Sequence, residues 1–439
     1  IMPSNLNPRL LFVIGNLALF MIGLGFAVRA NIAADIQTEL FNPIDLAQSA
    51  SMVGEVLGAT FTGFALTLLF GSALLDHIGM KIMLLFAALG FIAGSLAILG
   101  VSLLPPTQST YWVIMFSFLL TGLGWGAVEA ATNPMIAALF PDEKTHRLNI
   151  LHAWWPAGIV VGGLAGLAVG ELGLPWQANL LLLTVPAVVL AWLVIISVFP
   201  VTERVAAGIS HRDMYLEILR SPGFWVWFIC MMLTATSELA PGQWVDLALS
   251  NVVGMQGIIL LIYVSGLMFV MRHFAGPIAD RFSPAGLLWL SSLFAAVGLY
   301  LLSIASTPIW AFSAATVWGI GVCYMYPTML ASVSERYPRG GAFLMGLMGF
   351  AAGIAIQFVL PRMGAIFDAA KIEAAGSVEA LARLSGDELA AVLRYASIES
   401  FQAVTIVPLL LLPIFGFIWW RDGRSAAAAP LKESAAGTE

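Results

Sequence analysis

The sequence predicts an all-α membrane protein of twelve transmembrane helices in two pseudo-symmetric six-helix halves, on three observations. Of 439 residues, 60% are hydrophobic and 10% charged, where soluble domains carry roughly 25% charged residues. Apolar stretches of bilayer length recur along the whole chain. Short sequences in the first half return in the second at an offset near half the chain length.

A bilayer core of about 30 Å takes about twenty apolar residues per helix. At that scale the spans fall at 9–37, 49–75, 82–104, 111–140, 150–171 and 177–199, then at 223–250, 255–276, 285–305, 309–336, 341–365 and 401–420. The chain thus divides into a six-helix half at 1–199, a linker at 200–222, a second half at 223–420 and a tail at 421–439. Twelve spans put both termini on one side. Lys81, Lys144, Arg147, Arg204, Arg212, Arg220, Arg281, Arg336, Arg339, Arg421 and Arg424 fall on that side, and the short opposite loops carry almost no Lys or Arg. The positive-inside rule makes the termini and the linker cytoplasmic, in an inner (plasma) membrane. Trp112, Trp176, Trp310, Trp419 and Trp420 sit where aromatic belts are expected.

Residues 210–220 suit a short amphipathic helix on the membrane surface. A polar insert at 366–399, with Glu379, Arg383, Asp387, Glu388 and Arg394 at helical spacings, is expected outside as an amphipathic helix or hairpin. The Ala/Ser/Gly-rich tail beyond Arg424 is expected to be disordered. The first apolar stretch is too long for a signal peptide and no cleavage pattern precedes it, so it is expected to be retained.

The net charge of −6 and the lack of a basic block argue against a nucleic-acid partner. Cys230 and Cys323 lie in apolar runs without metal-ligand spacing and read as small core residues. No P-loop, metal cluster or nucleophile elbow appears. Neither a cofactor nor an enzymatic activity is expected; the partners are the lipid bilayer, a small molecule and protons, and the chain is expected to act as a monomer.

Gly276-Pro277-Ile278-Ala279-Asp280-Arg281, between spans eight and nine, answers Ser72-Ala73-Leu74-Leu75-Asp76-His77-Ile78-Gly79-Met80-Lys81, between spans two and three. The two Asp are 204 positions apart. Gly122, Gly124 and Pro141 return 197 positions later as Gly319, Gly321 and Pro338, which indicates a duplication. These loops resemble the G-x-x-x-D-R-x-G-R/K-R/K motif of the major facilitator superfamily. Ser72 and His77 replace its Gly and Arg in the first copy, and Ser283 and Pro284 its later Gly and Arg in the second. The resemblance implies the major facilitator fold. An Asp just past a helix end can accept backbone N–H groups of the next helix or pair with an Arg, so Asp76, Asp280 and Arg281 are expected to fasten one gating state. The plainer alternative is a tight turn that needs only Asp and Gly.

The stretch Gly122-Leu-Gly124-Trp125-Gly126-Ala-Val-Glu129-Ala-Ala-Thr-Asn133-Pro134, followed by Arg147-Leu148-Asn149-Ile150-Leu151-His152, resembles the fourth-to-fifth helix region of the fucose/galactose/glucose:proton symporter family. In that family an acid at the position of Glu129 is linked to proton coupling and sugar recognition. Its Asp on the first helix falls at Ile32 here, and a polar residue of its fifth helix at Trp155.

An ionisable group in hydrocarbon costs about 2.5–3.5 kcal/mol or more, so buried carboxylates are candidate functional groups. Gly122, Gly126, Glu129 and Asn133 form one helical stripe, which suits a cavity wall beside Trp125; a packing seam of small residues is the competing account. Glu238 precedes Pro241-Gly242, expected to interrupt its helix beside Gln243 and Trp244. An acid, an amide and an indole together fit a neutral polyol. Arg29 and Glu55 lie at similar depth and are expected to pair as a gate, with a snorkelling Arg29 as the alternative. Tyr326 matches Glu129 in the repeat, and Gln357 and His152 complete the substrate-binding candidates. Gly158, Gly162, Gly166 and Gly170 read as a packing ladder on helix five.

The expected function is secondary transport of a sugar or similar polyol, proton-coupled through Glu129 or Glu238. A sugar uniporter and a proton-driven exporter of amphipathic compounds are the alternatives, with a lipid scramblase or a non-transporting sensor in a different class.

Overall fold

With no water in the bilayer core to satisfy backbone amides, apolar segments of this length close their hydrogen bonds internally, as helices. The computed structural model describes residues 6–140, 144–202, 205, 208, 210–272, 275–337 and 341–436; outside that description are the side chains at 137, 144–146, 148–149, 246–249, 251–253, 275–280, 331, 334–335, 341–342 and 425–436. The helices are α1 (Pro8–Asp35), continued by a π-helical turn at Ile36–Phe41, α2 (Ser49–Ile78), α3 (Met80–Ser102), α4 (Gln108–Leu139), α5 (Lys144–Glu171) and α6 (Ala178–Ile196). After α7 (His211–Arg220) come α8 (Phe224–Val253), α9 (Ile258–Arg272), α10 (Ala275–Ser303), α11 (Pro308–Cys323) and α12 (Met325–Arg336). The chain ends with α13 (Gly341–Ala375), α14 (Val378–Leu381), α15 (Gly386–Thr405) and α16 (Val407–Ala436).

Among the described residues, eleven helical segments are long and apolar enough to cross a bilayer. The twelfth place is taken by α9, whose 15 residues reach only about 22 Å at 1.5 Å each. The fold is thus all-α, with twelve membrane helices in two sets of six. Sequence cues set several ends. Asn7 Oδ1 accepts from Leu10 N at 3.1 Å with Pro8 opening α1, and Thr307 Oγ1 accepts from Trp310 N at 3.3 Å with Pro308 opening α11. Gly79, at φ 86°, makes the turn from α2 to α3 that a side chain would strain.

The duplication read in the sequence is visible in the packing. Helix α4 packs on α2 and α3, and α11 packs on α9 and α10. The repeated glycines make both contacts. A Cβ on Gly122 would lie 1.9 Å from the Thr60 carbonyl of α2, and one on Gly124 3.0 Å from the Ala87 carbonyl of α3. At the repeat positions Gly319 meets Val264 of α9 at 3.2 Å, and Gly321 meets the Ala295 backbone of α10 at 2.3 Å. The two sets of six meet along α2 and α13, α5 and α9, and α1 and α8.

Several local expectations are corrected. Helix α8 runs unbroken through Pro241-Gly242. Proline there removes the donor for the Ser237 carbonyl, and Trp318 Nε1–H replaces it at 3.0 Å. Residues 277–282, expected in a loop, are helical, with the break at Ser283 (φ 59°) just before Pro284. The segment expected as a polar insert from 366 begins inside α13, which continues to Ala375. The backbone beyond Arg424 is helical to Ala436, in keeping with its alanine run. Trp176 is buried and gives Nε1–H to Glu39 at 2.8 Å, whereas Trp112, Trp310, Trp419 and Trp420 are exposed as a belt requires.

Candidate functional site

Where the two sets of six meet, polar side chains gather among the apolar ones. On α4, Glu129 is half-buried and accepts from Trp125 Nε1 at 3.2 Å. One turn further on, Asn133 Oδ1 sits 3.0 Å from His152 Nε2 of α5. From the second set, Glu238 of α8 is buried, and Arg272, the last residue of α9, holds its Nη2 3.8 Å from Glu238 Oε1. Arg272 also gives Nε–H to the Cys323 carbonyl at 3.2 Å and lies over the Trp155 ring at 5.8 Å. Its charge is felt at His152, and Tyr326 lies near enough to both Glu129 and Glu238 to feel theirs. Glu129, Asn133, His152, Glu238 and Tyr326 are therefore brought together, from both halves of the repeat. Arg272, at the end of a run of apolar residues, is the member that sequence reasoning missed.

Aromatic rings wall the cluster. Trp125 packs on Phe61 and Phe64 of α2 at 5.2 and 4.6 Å, and Phe26 lies edge-on to Trp125 and Trp155 at 6.5 and 5.5 Å. The Trp155 Nε1 and Gln357 Oε1 atoms are buried without a hydrogen-bond partner. Gln357 lies on the seam of α2 and α13, where a Cβ on Gly58 would come within 3.1 Å of its Oε1.

The glycines of the α4 stripe line no cavity. Gly122 and Gly126 press on the Thr60 and Phe64 carbonyls of α2, so the packing account holds for them and only Glu129 and Asn133 face the cluster. Gly158, Gly162 and Gly166 pack likewise, the first two on α1 and the third on Asn31 and Asn179; nothing lies within 4 Å of a Cβ on Gly170. Trp244 is wholly buried, turned to α15, and gives Nε1–H to Ser400 Oγ at 3.3 Å, away from the cluster.

The expected Arg29–Glu55 pair does not form. Glu55 accepts from the Tyr111 hydroxyl. Arg29 gives Nε–H to Gln243 Oε1 at 3.4 Å, and Gln243 Nε2 donates to the Phe26 carbonyl at 3.0 Å, so the amide ties α1 to α8. At the terminal end, Asp76 accepts from the Thr202 hydroxyl, while Lys81 Nζ donates to the carbonyls of Ile195 and Ser197 at 2.6 and 3.0 Å. Arg281 is exposed with its guanidinium 5.9 Å from the Phe282 ring, and the Asp280 side chain lies outside the described residues.

A second polar cluster, also missed, closes the opposite end. Asp368 of α13 accepts from Ser51 N at 2.7 Å, Ser51 Oγ at 2.6 Å and Ala50 N at 3.4 Å. These are first-turn amides of α2, so a residue from one set of six caps a helix of the other. Lys371, one turn on, pairs with Asp368 at 2.6 Å and donates to the Leu46 carbonyl at 3.0 Å and Ser49 Oγ at 3.3 Å. A Cβ on Gly54 would lie 2.4 Å from the Leu360 carbonyl, and one on Gly364 2.4 Å from that of Ala50, so glycine is what lets the two backbones meet there.

The fold is similar to that of a D-xylose-proton symporter, at 14% identity over 92% of this chain and 97% of that one, with a TM-score of 0.73. It is similar to the xylose transporter XylE from E. coli in a partially occluded inward-open conformation, at 14% identity over 93% and 97%, TM-score 0.70. A nucleoside transporter shares it at 11% identity over 93% and 98%, TM-score 0.65. Among curated proteins none matches the sequence. The Major Facilitator Superfamily model matches residues 8–359, and with two packed sets of six helices behind that match the chain belongs to the Major Facilitator Superfamily of membrane transporters.

Proposed function

We propose that the chain is a proton-coupled secondary transporter of a sugar or similar polyol, with both termini and the 200–222 linker in the cytoplasm. One observation carries the coupling. Glu129 and Glu238, one from each set of six, both lie within electrostatic range of Tyr326, and among the described residues Arg272 is the one cation within 4 Å of either carboxylate. Two acids with one cation reach neutrality by taking up one proton. A site that must gain or lose that proton as the halves move apart can tie transport to a gradient.

The sugar reading draws on the remaining groups. Asn133, His152 and Gln357 offer donors and acceptors for hydroxyls, while Trp125, Trp155 and Tyr326 offer faces for a ring. The similarity to a xylose-proton symporter supports the same class. Arg29 with Gln243, Tyr111 with Glu55, and Asp76, Asp280 and Arg281 near the terminal side would then hold or release particular gating states. Uniport is the second reading, favoured by Ile32, which stands 1% exposed in the apolar core where the symporter family has its helix-one Asp.

The test is uptake of radiolabelled pentoses and hexoses into proteoliposomes under an inward proton gradient. Accumulation above equilibrium that a protonophore abolishes supports symport. Uptake that only equilibrates and ignores the protonophore is uniport, and no uptake of any sugar overturns the substrate class.

A further inference from the structure

Of the three core cations Arg29, Arg272 and Lys371, Arg29 alone has no carboxylate partner among the described residues. Lys371 has a carboxylate, a carbonyl and a hydroxyl, and Arg272 has a carbonyl and a carboxylate. Arg29 is 5% exposed, and its one hydrogen bond among the described residues is the long one from Nε to Gln243. Among the described residues its Nη2 is buried without a partner and no carboxylate lies within 4 Å. The Trp125 ring, 5.5 Å from the guanidinium carbon, supplies an attractive face but no counter-charge. An unneutralised guanidinium away from water costs several kcal/mol.

Beside this side chain lies a half-open cavity of about 20 Å³, lined by residues of α1, α3, α4 and α6. Its lining includes Gly25, Arg29, Ser95, Phe118, Thr121 and Leu183. A space of about 10–15 Å³ on this measure already admits one water-sized particle. Ser95 is 2% exposed and lines the same cavity, which therefore has a hydroxyl among its walls as well as the guanidinium. Gly25 keeps the approach open, since a Cβ there would stand 3.3 Å from Nη1 and 3.6 Å from Leu183.

We infer that this cavity binds one inorganic anion of halide size, chloride being the physiological candidate, held by Arg29 and Ser95 within the first six helices. A halide supplies the missing charge, takes N–H and O–H donors from any direction and tolerates apolar walls. Water fills the volume but leaves the charge uncompensated, and a sugar carboxylate or sulfate exceeds the space. The bound ion neutralises the residue that links α1 to Gln243 of α8, so occupancy stabilises that link whatever the transported substrate is.

The test uses the full-length protein purified into chloride-free gluconate. Titrating chloride or bromide at constant ionic strength is expected to raise Tm saturably, by about 3 °C at a hundredfold excess over Kd. Crystals grown in bromide should show an anomalous peak within 4 Å of the Arg29 guanidinium. Arg29→Gln should abolish the halide response. Because that variant can fail to fold, Ser95→Val, which fills the cavity with methyl groups, serves as the second arm and should lose the response while keeping the gluconate Tm. The inference is overturned by the absence of a saturable shift, by an equal shift from sulfate, or by an unchanged response in Ser95→Val.

Discussion

Trp318 Nε1–H lies 3.0 Å from the Ser237 carbonyl, the one acceptor in α8 that Pro241 deprives of its helical donor. An unpaired carbonyl in this setting costs about 1–3 kcal/mol. Trp318→Phe, which removes the N–H and part of the ring bulk, is expected to destabilise by at least that amount. Pro241→Ala restores the donor within α8, so Trp318→Phe should cost markedly less in that background. A double-mutant cycle on Tm reads the difference; additive effects would mean the indole is not standing in for the missing amide.

For the glycine contacts, Gly122→Ala sets a methyl group 1.9 Å from the Thr60 carbonyl, where backbone cannot yield. A loss of about 1–3 kcal/mol or more is expected. Gly170→Ala meets nothing within 4 Å and should gain about 0.5–1 kcal/mol from helix propensity. Thermal unfolding in detergent gives both signs in one experiment.

Loss of Asp368 strands a lysine. Asp368→Ala leaves Lys371 buried without its carboxylate and is expected to cost about 3–5 kcal/mol. Asp368→Asn with Lys371→Met removes both charges and should cost less than Asp368→Ala alone. A cysteine at Ala50 should label faster with an impermeant reagent in Asp368→Asn if the cap holds α2 against α13; unchanged labelling would make the contact a static support.

Proton coupling is read by exchange. Glu129→Gln keeps the acceptor that Trp125 uses but not the charge change, so gradient-driven accumulation should vanish while counterflow of bound sugar survives. Glu238→Gln should do the same and also free Arg272. Normal accumulation in both variants would remove these acids from the coupling step.

Orientation rests on Arg and Lys placement. A cysteine at Arg212, exposed at the start of α7, should react with an impermeant reagent only after the membrane is opened. Reaction in intact cells would reverse the topology.

Much of the architecture was legible because bilayer length and apolar composition leave few alternatives, and the repeated glycines mark the same contacts in both halves. The site was less so. Gln243 and Trp244 are adjacent, yet about 100° of helical rotation sends one to Arg29 and the other to Ser400. No local pattern chooses between those directions. Asp368 and Lys371 fall in the segment expected as an outside polar insert; their i, i+3 spacing is equally common on exposed helices, and their partners are more than three hundred positions away. Glu129 stood out as a lone acid in an apolar run, whereas Arg272 was obscured at a span's end, where cations are ordinary.

The cap on α2 also has a consequence for synthesis. Asp368 follows Ser51 by 317 residues, a delay of roughly 15–60 s at typical elongation rates of about 5–20 residues per second. Through that interval the first-turn amides of α2 must find water, lipid headgroups or the insertion machinery instead. The start of the second helix is therefore finished last, and a chain cut before α13 exposes an unfinished end to whatever quality control inspects the membrane.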